Sequence, residues 1–199
     1  FKGLIEKYLG SLPNIIRKEK YVDDGVRAER ELVKFEVYEN LEDQSTHYKA
    51  YVNGFKNNVK NRFKVYITQN LMKRMLHEEI REKQNLVYSI SVQDYGITKI
   101  PDEKYTLVIN FDCDPKNKDK IFTEIDKVLE KLKKGDFPQH YLDDAIKAQV
   151  TSYLINRESN RWLVGAISGY YEDKEPLQMI NAIDVIVKSI HKNDIKRFA

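Results

Sequence analysis

The sequence has little cysteine and little glycine, and it contains no long apolar run. Cys113 is the single cysteine among 199 residues, so no disulfide can form within the chain and no cluster of thiolates can hold a metal. The eight glycines form neither a Gly-rich phosphate loop nor a G-x-S-x-G nucleophile elbow. No apolar stretch approaches the roughly 20 residues that a membrane-spanning helix needs. Disulfide-framework, P-loop and membrane-spanning classes are therefore excluded.

Zinc-peptidase motifs are missing as well. The four histidines are His47, His77, His140 and His191. None of them lies in H-E-x-x-H or H-x-x-E-H, the spacings that put two imidazoles and a catalytic glutamate on one helical face. The nearest approach, His77 followed by Glu78 and Glu79, lacks the second histidine. We therefore expect no metal site in this chain and an exposed helical position for His77.

Opposite charges nearly cancel and are mixed along the chain. The sequence carries 34 basic and 31 acidic residues, a net charge of +3, and the two signs alternate along most segments. The lysines between residues 116 and 134 are interleaved with aspartate and glutamate, which is typical of the solvated face of a helix. The charge pattern therefore indicates no nucleic-acid partner.

The beginning of the chain predicts a domain boundary. Apolar residues recur there at helical spacing, and Gly10 and Pro13 follow in the order expected of a helix C-terminus. The next residues are polar and aperiodic, which is typical of a connector. We predict the end of a preceding domain at 1–13, a linker at 14–30 and a second domain at 31–199.

Four segments alternate apolar with polar residues, which predicts strands at 33–37, 48–52, 86–92 and 105–113. A short polar turn at 41–46 predicts that the first two strands pair antiparallel. In the last segment, the alternation of Phe111 and Cys113 favours a small buried side chain at Cys113 over a reactive thiol.

Helical periodicity predicts a long helix that begins after Asn57 or Asn58 and runs to about Lys83. Further helices are predicted at 121–132, 138–154, 160–171, 177–190 and from 193 onward. The order of strand, strand, long helix, strand, strand and then helices predicts an α+β fold, with helices packed on one face of an antiparallel or mixed sheet. We also expect the domain to be truncated at both ends.

Residues 76–90, LHEEIREKQNLVYSI, join this long helix to a strand. The helix ends in an R-E-K triplet that begins at Arg81, and Tyr88 follows Arg81 by seven positions. The segment resembles the helix-to-strand segment in the zinc-free half of pitrilysin/insulinase-type zinc metallopeptidases. Val87 departs from the glycine that often precedes the tyrosine in that family.

Two further phrases resemble the same family, LIEKYLGSLP at 4–13 and FDCDP at 111–115. The resemblance implies a mitochondrial-processing-peptidase/LuxS-like metallohydrolase domain. It also implies that a zinc-bearing half, on the same chain or on a sister subunit, closes with the zinc-free half around a peptide. Zinc would then belong to another domain of the intact enzyme. A bacterial periplasm or cell envelope is favoured by the resemblance, and a cytoplasmic location stays open.

The same resemblance implies a role for two side chains. Transferred residue by residue, Arg81 and Tyr88 bind the substrate, and the Tyr88 hydroxyl donates a hydrogen bond to the carbonyl oxygen of the bound peptide. The implied function is a non-catalytic, substrate-contacting domain of a zinc metalloendopeptidase that hydrolyses peptides or small unfolded proteins.

Two alternatives stay open at this point. Tyr88 shares its predicted strand face with Ile90 and could fill the core, and Arg81 could pair with Glu78 or Glu82 on the helix surface. At the level of function, the alternative is a catalytically dead scaffold or binding domain of the same family.

Overall fold

A computed structural model describes residues 1–13, 20–27, 33–37 and 45–199. The chain separates into two units, Phe1–Phe35 and Glu36–Ala199. In the first unit, helix α1 spans Lys2–Tyr8, which confirms the short helix predicted before Gly10. All side chains of α1 are exposed. The domain boundaries predicted after residues 13 and 30 stay predictions.

Three antiparallel strands form the sheet of the second unit, in the order β1-β3-β2. They are β1 (Ser45–Gly54), β2 (Ser89–Thr98) and β3 (Lys104–Cys113). Ser45 lies opposite Cys113 in the β1–β3 register, and Ser89 lies opposite Asp112 in the β2–β3 register. Because β3 has a hydrogen-bonded neighbour on each side, it is the central strand.

The strand predicted at 33–37 is wrong. These residues form no strand, and Val33, Phe35 and Val37 are 66%, 87% and 70% exposed. The expected partner, β1, pairs with β3 instead. Alternation produces a strand only when a neighbouring surface covers the apolar face, and these apolar side chains remain in solvent. The first part of the predicted turn, 41–44, lies outside the described residues.

The long helix predicted from Asn57 or Asn58 to about Lys83 is confirmed. Helix α2 spans Val59–Leu76 and begins where the Asn58 side chain accepts a hydrogen bond from the Asn61 N–H at 2.9 Å. Such a cap satisfies one of the donors that a helix start leaves unpaired. One face of α2 is buried, and its fully enclosed apolar side chains include Val65, Ile67, Leu71 and Leu76.

The remaining helices follow the predicted order. They are α3 (Lys118–Lys134), α4 (Gln139–Asn156), α5 (Asn160–Glu172), α6 (Ile183–Lys188) and α7 (Lys192–Phe198), with 3-10 turns at Pro115–Asn117 and Leu177–Ala182. Gly135 ends α3 in a left-handed conformation with φ of 70°, as the sequence predicts. Among the described residues, the search for a helix that combines the length and the apolar character of a membrane span found none.

The helices pack on one face of the sheet, which confirms the predicted α+β architecture. Alternate residues of β3 line this core, and each is at most 4% exposed: Tyr105, Leu107, Ile109, Phe111 and Cys113. They pack in one cluster with buried residues of α2 and α3, such as Ile67 and Ile125.

The opposite side of the sheet is termed the open face. Near the start of β1, the residues of the open face form three rows, and each row consists of one residue from each strand, paired in register. The rows are Thr46–Asp112–Ser89, Tyr48–Asn110–Ser91 and Ala50–Val108–Gln93. Tyr48 and, further along β1, Val52 are 64% and 45% exposed. The apolar members of the alternation in β1 therefore point away from the helices, and the half-buried His47, Lys49 and Tyr51 alternate with them.

Candidate substrate-contact site

The predicted substrate residues Arg81 and Tyr88 lie where α2 passes into β2. The helix widens at its end into one π-helical turn, His77–Glu82. Asn85 then adopts a left-handed conformation with φ of 49°, which asparagine tolerates better than most residues. Single π-helical turns are rare and are frequent at functional sites. The local backbone therefore marks the same junction that the resemblance singles out.

Tyr88 is open to solvent at this junction. It is 58% exposed, whereas Val87 and Ile90 are 5% and 7% exposed. Because β2 begins at Ser89, the prediction that Tyr88 lies within the strand is wrong. The exposure of Tyr88 also shows that the alternative, in which it fills the core, is wrong. The Tyr88 N–H donates to the Asp112 carbonyl oxygen at 2.8 Å. This bond fixes the backbone while the phenol ring stays accessible.

Arg81 is exposed and contacts a histidine one helical turn away. Its Nη1 donates to His77 Nε2 at 3.1 Å, and His77 Nδ1 lies 3.2 Å from Glu82 Oε1. A guanidinium has no acceptor, so Nε2 accepts the hydrogen bond and the imidazole proton lies on Nδ1, facing Glu82. The alternative that Arg81 pairs directly with Glu78 or Glu82 is wrong for the described part of the chain.

His77 is therefore a residue whose role sequence reasoning missed. It was predicted as an exposed helical residue, but it is half-buried and links Arg81 to Glu82. The available signal was its position four residues before Arg81, a spacing that brings side chains together on one helical face. No hydrogen bond joins Arg81 to Tyr88 in this structure, so each would meet a ligand separately.

Asp112 stands on the open face beside this junction. Its Oδ1 accepts a hydrogen bond from the Thr46 hydroxyl at 2.7 Å, and its Oδ2 accepts one from the Ser89 hydroxyl at 2.7 Å. These two bonds hold the pKa of Asp112 below its ordinary value of 3.8, because they stabilise the ionised carboxylate. The carboxylate therefore carries a negative charge near neutral pH. Asp112 lies directly opposite Ser89, the residue that follows Tyr88.

Metal-binding donors do not converge in the part of the chain that the structure describes. Within 1–13, 20–27, 33–37 and 45–199, no group of three or more histidine, cysteine, aspartate or glutamate side chains could hold a metal ion. Zinc does not fit the residues present here, and no chemistry through a metal is assigned to them.

His47 and Cys113 have neighbours of their own. His47 stacks on Phe111 with ring centroids 5.0 Å apart, and its Nε2 lies 2.7 Å from the Ser45 hydroxyl. Burial lowers the pKa of His47 below 6.5, because enclosure disfavours the charged imidazole. Cys113 is 0% exposed, which confirms the predicted buried thiol, and burial raises its pKa. Neither group is suited to act as a solvent-accessible nucleophile.

Comparison with known families identifies the chain. The model of the peptidase M16 inactive domain matches residues 1–149, which is more than half of the sequence. The chain belongs to this peptidase M16 inactive-domain family, as the resemblance of the helix-to-strand segment predicted. No curated protein matches the sequence significantly.

Solved structures share the fold. The periplasmic protease PqqL from Escherichia coli is 18% identical with a TM-score of 0.64, over 78% of this chain and 17% of its own. A peptidase M16 inactive domain from Pseudomonas fluorescens is 19% identical with a TM-score of 0.63, over 77% of this chain and 37% of its own. The ferredoxin protease FusC, solved in complex with Arabidopsis ferredoxin, is 12% identical with a TM-score of 0.67, over 80% of this chain and 17% of its own. The chain thus spans well under half the length of these relatives.

Proposed function

We propose that this chain is the non-catalytic, substrate-contacting domain of a zinc metalloendopeptidase that hydrolyses peptides or small unfolded proteins. The observation that carries the proposal is Tyr88, which is 58% exposed although the nearby apolar residues Val87 and Ile90 are 5% and 7% exposed. A large aromatic side chain that is exposed to solvent, on a backbone fixed by a hydrogen bond to the sheet, is available to a ligand. Membership of the peptidase M16 inactive-domain family supports a peptide as that ligand.

The chemistry expected of Tyr88 is hydrogen-bond donation. Its neutral hydroxyl would donate to the carbonyl oxygen of the scissile peptide bond, where negative charge develops as the bond is attacked. One donor placed at such an oxygen typically lowers the barrier by a few kcal/mol. Arg81 would hold the same peptide through its guanidinium, which can donate two parallel hydrogen bonds to one acceptor group.

Zinc would come from another domain, on the same chain or on a partner subunit. The described residues of this chain offer no metal-donor group, so the proposed division of labour gives them binding and orientation of the substrate. PqqL is described as a periplasmic protease and FusC as a ferredoxin protease. These descriptions support a polypeptide substrate, and the first supports a periplasmic or cell-envelope location as part of the proposal.

The test compares this chain by itself with the proposed complete peptidase, in which the zinc-bearing domain is present on the same chain or as a partner subunit. This complete peptidase is termed the longer protein. A quenched fluorescent peptide library is incubated with each, with added zinc and with a chelator. The proposal predicts chelator-sensitive hydrolysis by the longer protein and none by this chain alone. Hydrolysis by the isolated chain that tracks its purity would contradict the proposal. A longer protein that binds peptides without cleaving them would support the scaffold alternative instead.

A further inference from the structure

The open face carries one charge in its first three rows. Asp112 is flanked there by neutral residues only, since its neighbours are threonine, tyrosine, alanine, asparagine, valine, serine and glutamine. Within the described ranges, Asp112 forms no ion pair shorter than 4.0 Å, and the positive charge that acts on it from a distance is that of protonated His47. Among the described residues, this anionic group therefore stands on an otherwise neutral part of the open face, where a cation of a ligand can approach it.

The carboxylate is also held in one orientation. The Thr46 and Ser89 hydroxyls each donate to a different oxygen of Asp112, both at 2.7 Å. A carboxylate offers about four lone-pair sites, so about two of them remain for another donor. Because its geometry is fixed in advance, binding a cation there loses little conformational entropy.

The neighbouring row suits the stem of a long basic side chain. Tyr48 lies one row from Thr46 on the same face and is 64% exposed. Lysine and arginine side chains combine an apolar stem with a cationic head. An aromatic ring can pack against the stem, and its face attracts the cation. The distance between rows on one face is about 7 Å, which is within the reach of such a side chain.

Asp112 is tied to the proposed substrate contact through the backbone. The Tyr88 N–H donates to the Asp112 carbonyl oxygen at 2.8 Å, so the two residues hold a fixed relation. We propose, resting on the proposed function, that Asp112 and Tyr48 form a subsite for a lysine or arginine side chain of the peptide that Tyr88 contacts. The domain then selects substrates by a basic residue as well as holding them.

The test measures peptide binding by the longer protein, with a chelator present so that the peptide is not consumed. The probes are fluorescently labelled peptides of neutral residues in which one norleucine is replaced by lysine at successive positions. At one position, lysine is expected to bind roughly tenfold more tightly than norleucine, as for a hydrogen bond to a charged group. This preference is expected to shrink as salt is added, because added ions screen exposed charges.

Asp112→Asn is expected to abolish the lysine preference and leave norleucine binding unchanged. Asp136→Asn removes the same charge from an exposed position between α3 and α4, and it should keep the preference. If Asp112→Asn fails to fold, the salt dependence and an acetyl-lysine peptide test the wild-type protein directly. Equal binding of lysine and norleucine at every position would overturn the subsite while leaving the proposed function in place. Failure to bind any peptide would overturn both.

Discussion

The Tyr88 N–H donates to the carbonyl oxygen of Asp112 at 2.8 Å, one residue before β2 begins. This bond ties the end of the helix-to-strand junction to the central strand of the sheet. The tyrosine is therefore positioned by the most enclosed strand of the fold, yet its own side chain is exposed. A rigid element that presents an accessible polar group is what a substrate contact requires.

A partly buried ion network is expected to stabilise the start of α2. Arg62 contacts Asp173 at 3.2 Å and also Glu175, and Glu175 accepts a hydrogen bond from the Val59 N–H. Arg62→Met should lower the free energy of unfolding by roughly 2–3 kcal/mol, since it leaves the enclosed Glu175 without its cation. Asp173 would keep only its contact with Lys99.

Chemical denaturation measures this loss. Lys133→Met is the matched control. It breaks an exposed ion pair, since the side chains of Lys133 and its partner Glu130 are 51% and 57% exposed. Exposed pairs contribute roughly 0–1 kcal/mol. Equal effects of the two substitutions would contradict a stabilising role for the network around Arg62.

The stability of the fold should depend on pH through His47. Burial first, and the nearby charge of Lys118 second, lower its pKa below 6.5. Below pH 6.5 the unfolded chain binds this proton more readily than the folded chain, so the stability present above that pH is lost as pH falls through the lowered pKa. Unfolding curves of the wild type and His47→Gln, taken at successive pH values, should show a shallower decline for the variant. Parallel curves would contradict this account.

Two glycines should respond to alanine in opposite directions. Gly135 ends α3 with φ of 70°, so Gly135→Ala should lower the free energy of unfolding by about 1 kcal/mol, the penalty for a Cβ in the left-handed region. Gly165 lies inside α5, and no atom beyond its chain neighbours and the backbone of its own helix lies within 4 Å of an added Cβ. Gly165→Ala should stabilise the fold by about 0.5–1 kcal/mol. Thermal melting of both variants checks the two signs.

Arg81 should matter for peptide affinity and not for folding. Because Arg81 is exposed, Arg81→Met should change the free energy of unfolding by less than about 0.5 kcal/mol. The same substitution in the longer protein should weaken peptide binding roughly tenfold, through the loss of charged hydrogen bonds. Arg161→Met, at an exposed position of α5, is the control and should bind as the wild type. An unchanged affinity in Arg81→Met would remove Arg81 from the substrate site.

Sequence reasoning predicted those parts of the fold in which local chemistry and burial agree. Apolar residues occupy every second position along β3, and one face of this strand is buried. Helix α2 begins after Asn58 and α3 ends at Gly135, and both residue types suit those positions. Residues 33–37 alternate equally well, but tertiary structure gives their apolar side chains no cover. Periodicity cannot detect a missing neighbour, so this strand was wrongly predicted.

The candidate site was predictable only in part. The spacing of Arg81 and Tyr88 indicated the junction, but the alternation continued through Tyr88 and so placed this residue in β2, which begins one position later. Asp112 was not predicted as a site residue, because the alternation around it indicated only that Phe111 and Cys113 are buried. Its hydroxyl partners come from two other strands, and which residues face each other depends on strand register, which no local pattern specifies.

The most direct measurement is steady-state hydrolysis by the longer protein carrying Tyr88→Phe, which removes only the hydroxyl. We expect kcat to fall roughly a hundredfold, as when one donor to the developing oxyanion is lost, while KM and the free energy of unfolding change little. Tyr95→Phe, at a residue of β2 that is 64% exposed, should behave as the wild type. Unchanged turnover in Tyr88→Phe, or an equal loss in both variants, would contradict the assignment of Tyr88 as a substrate contact.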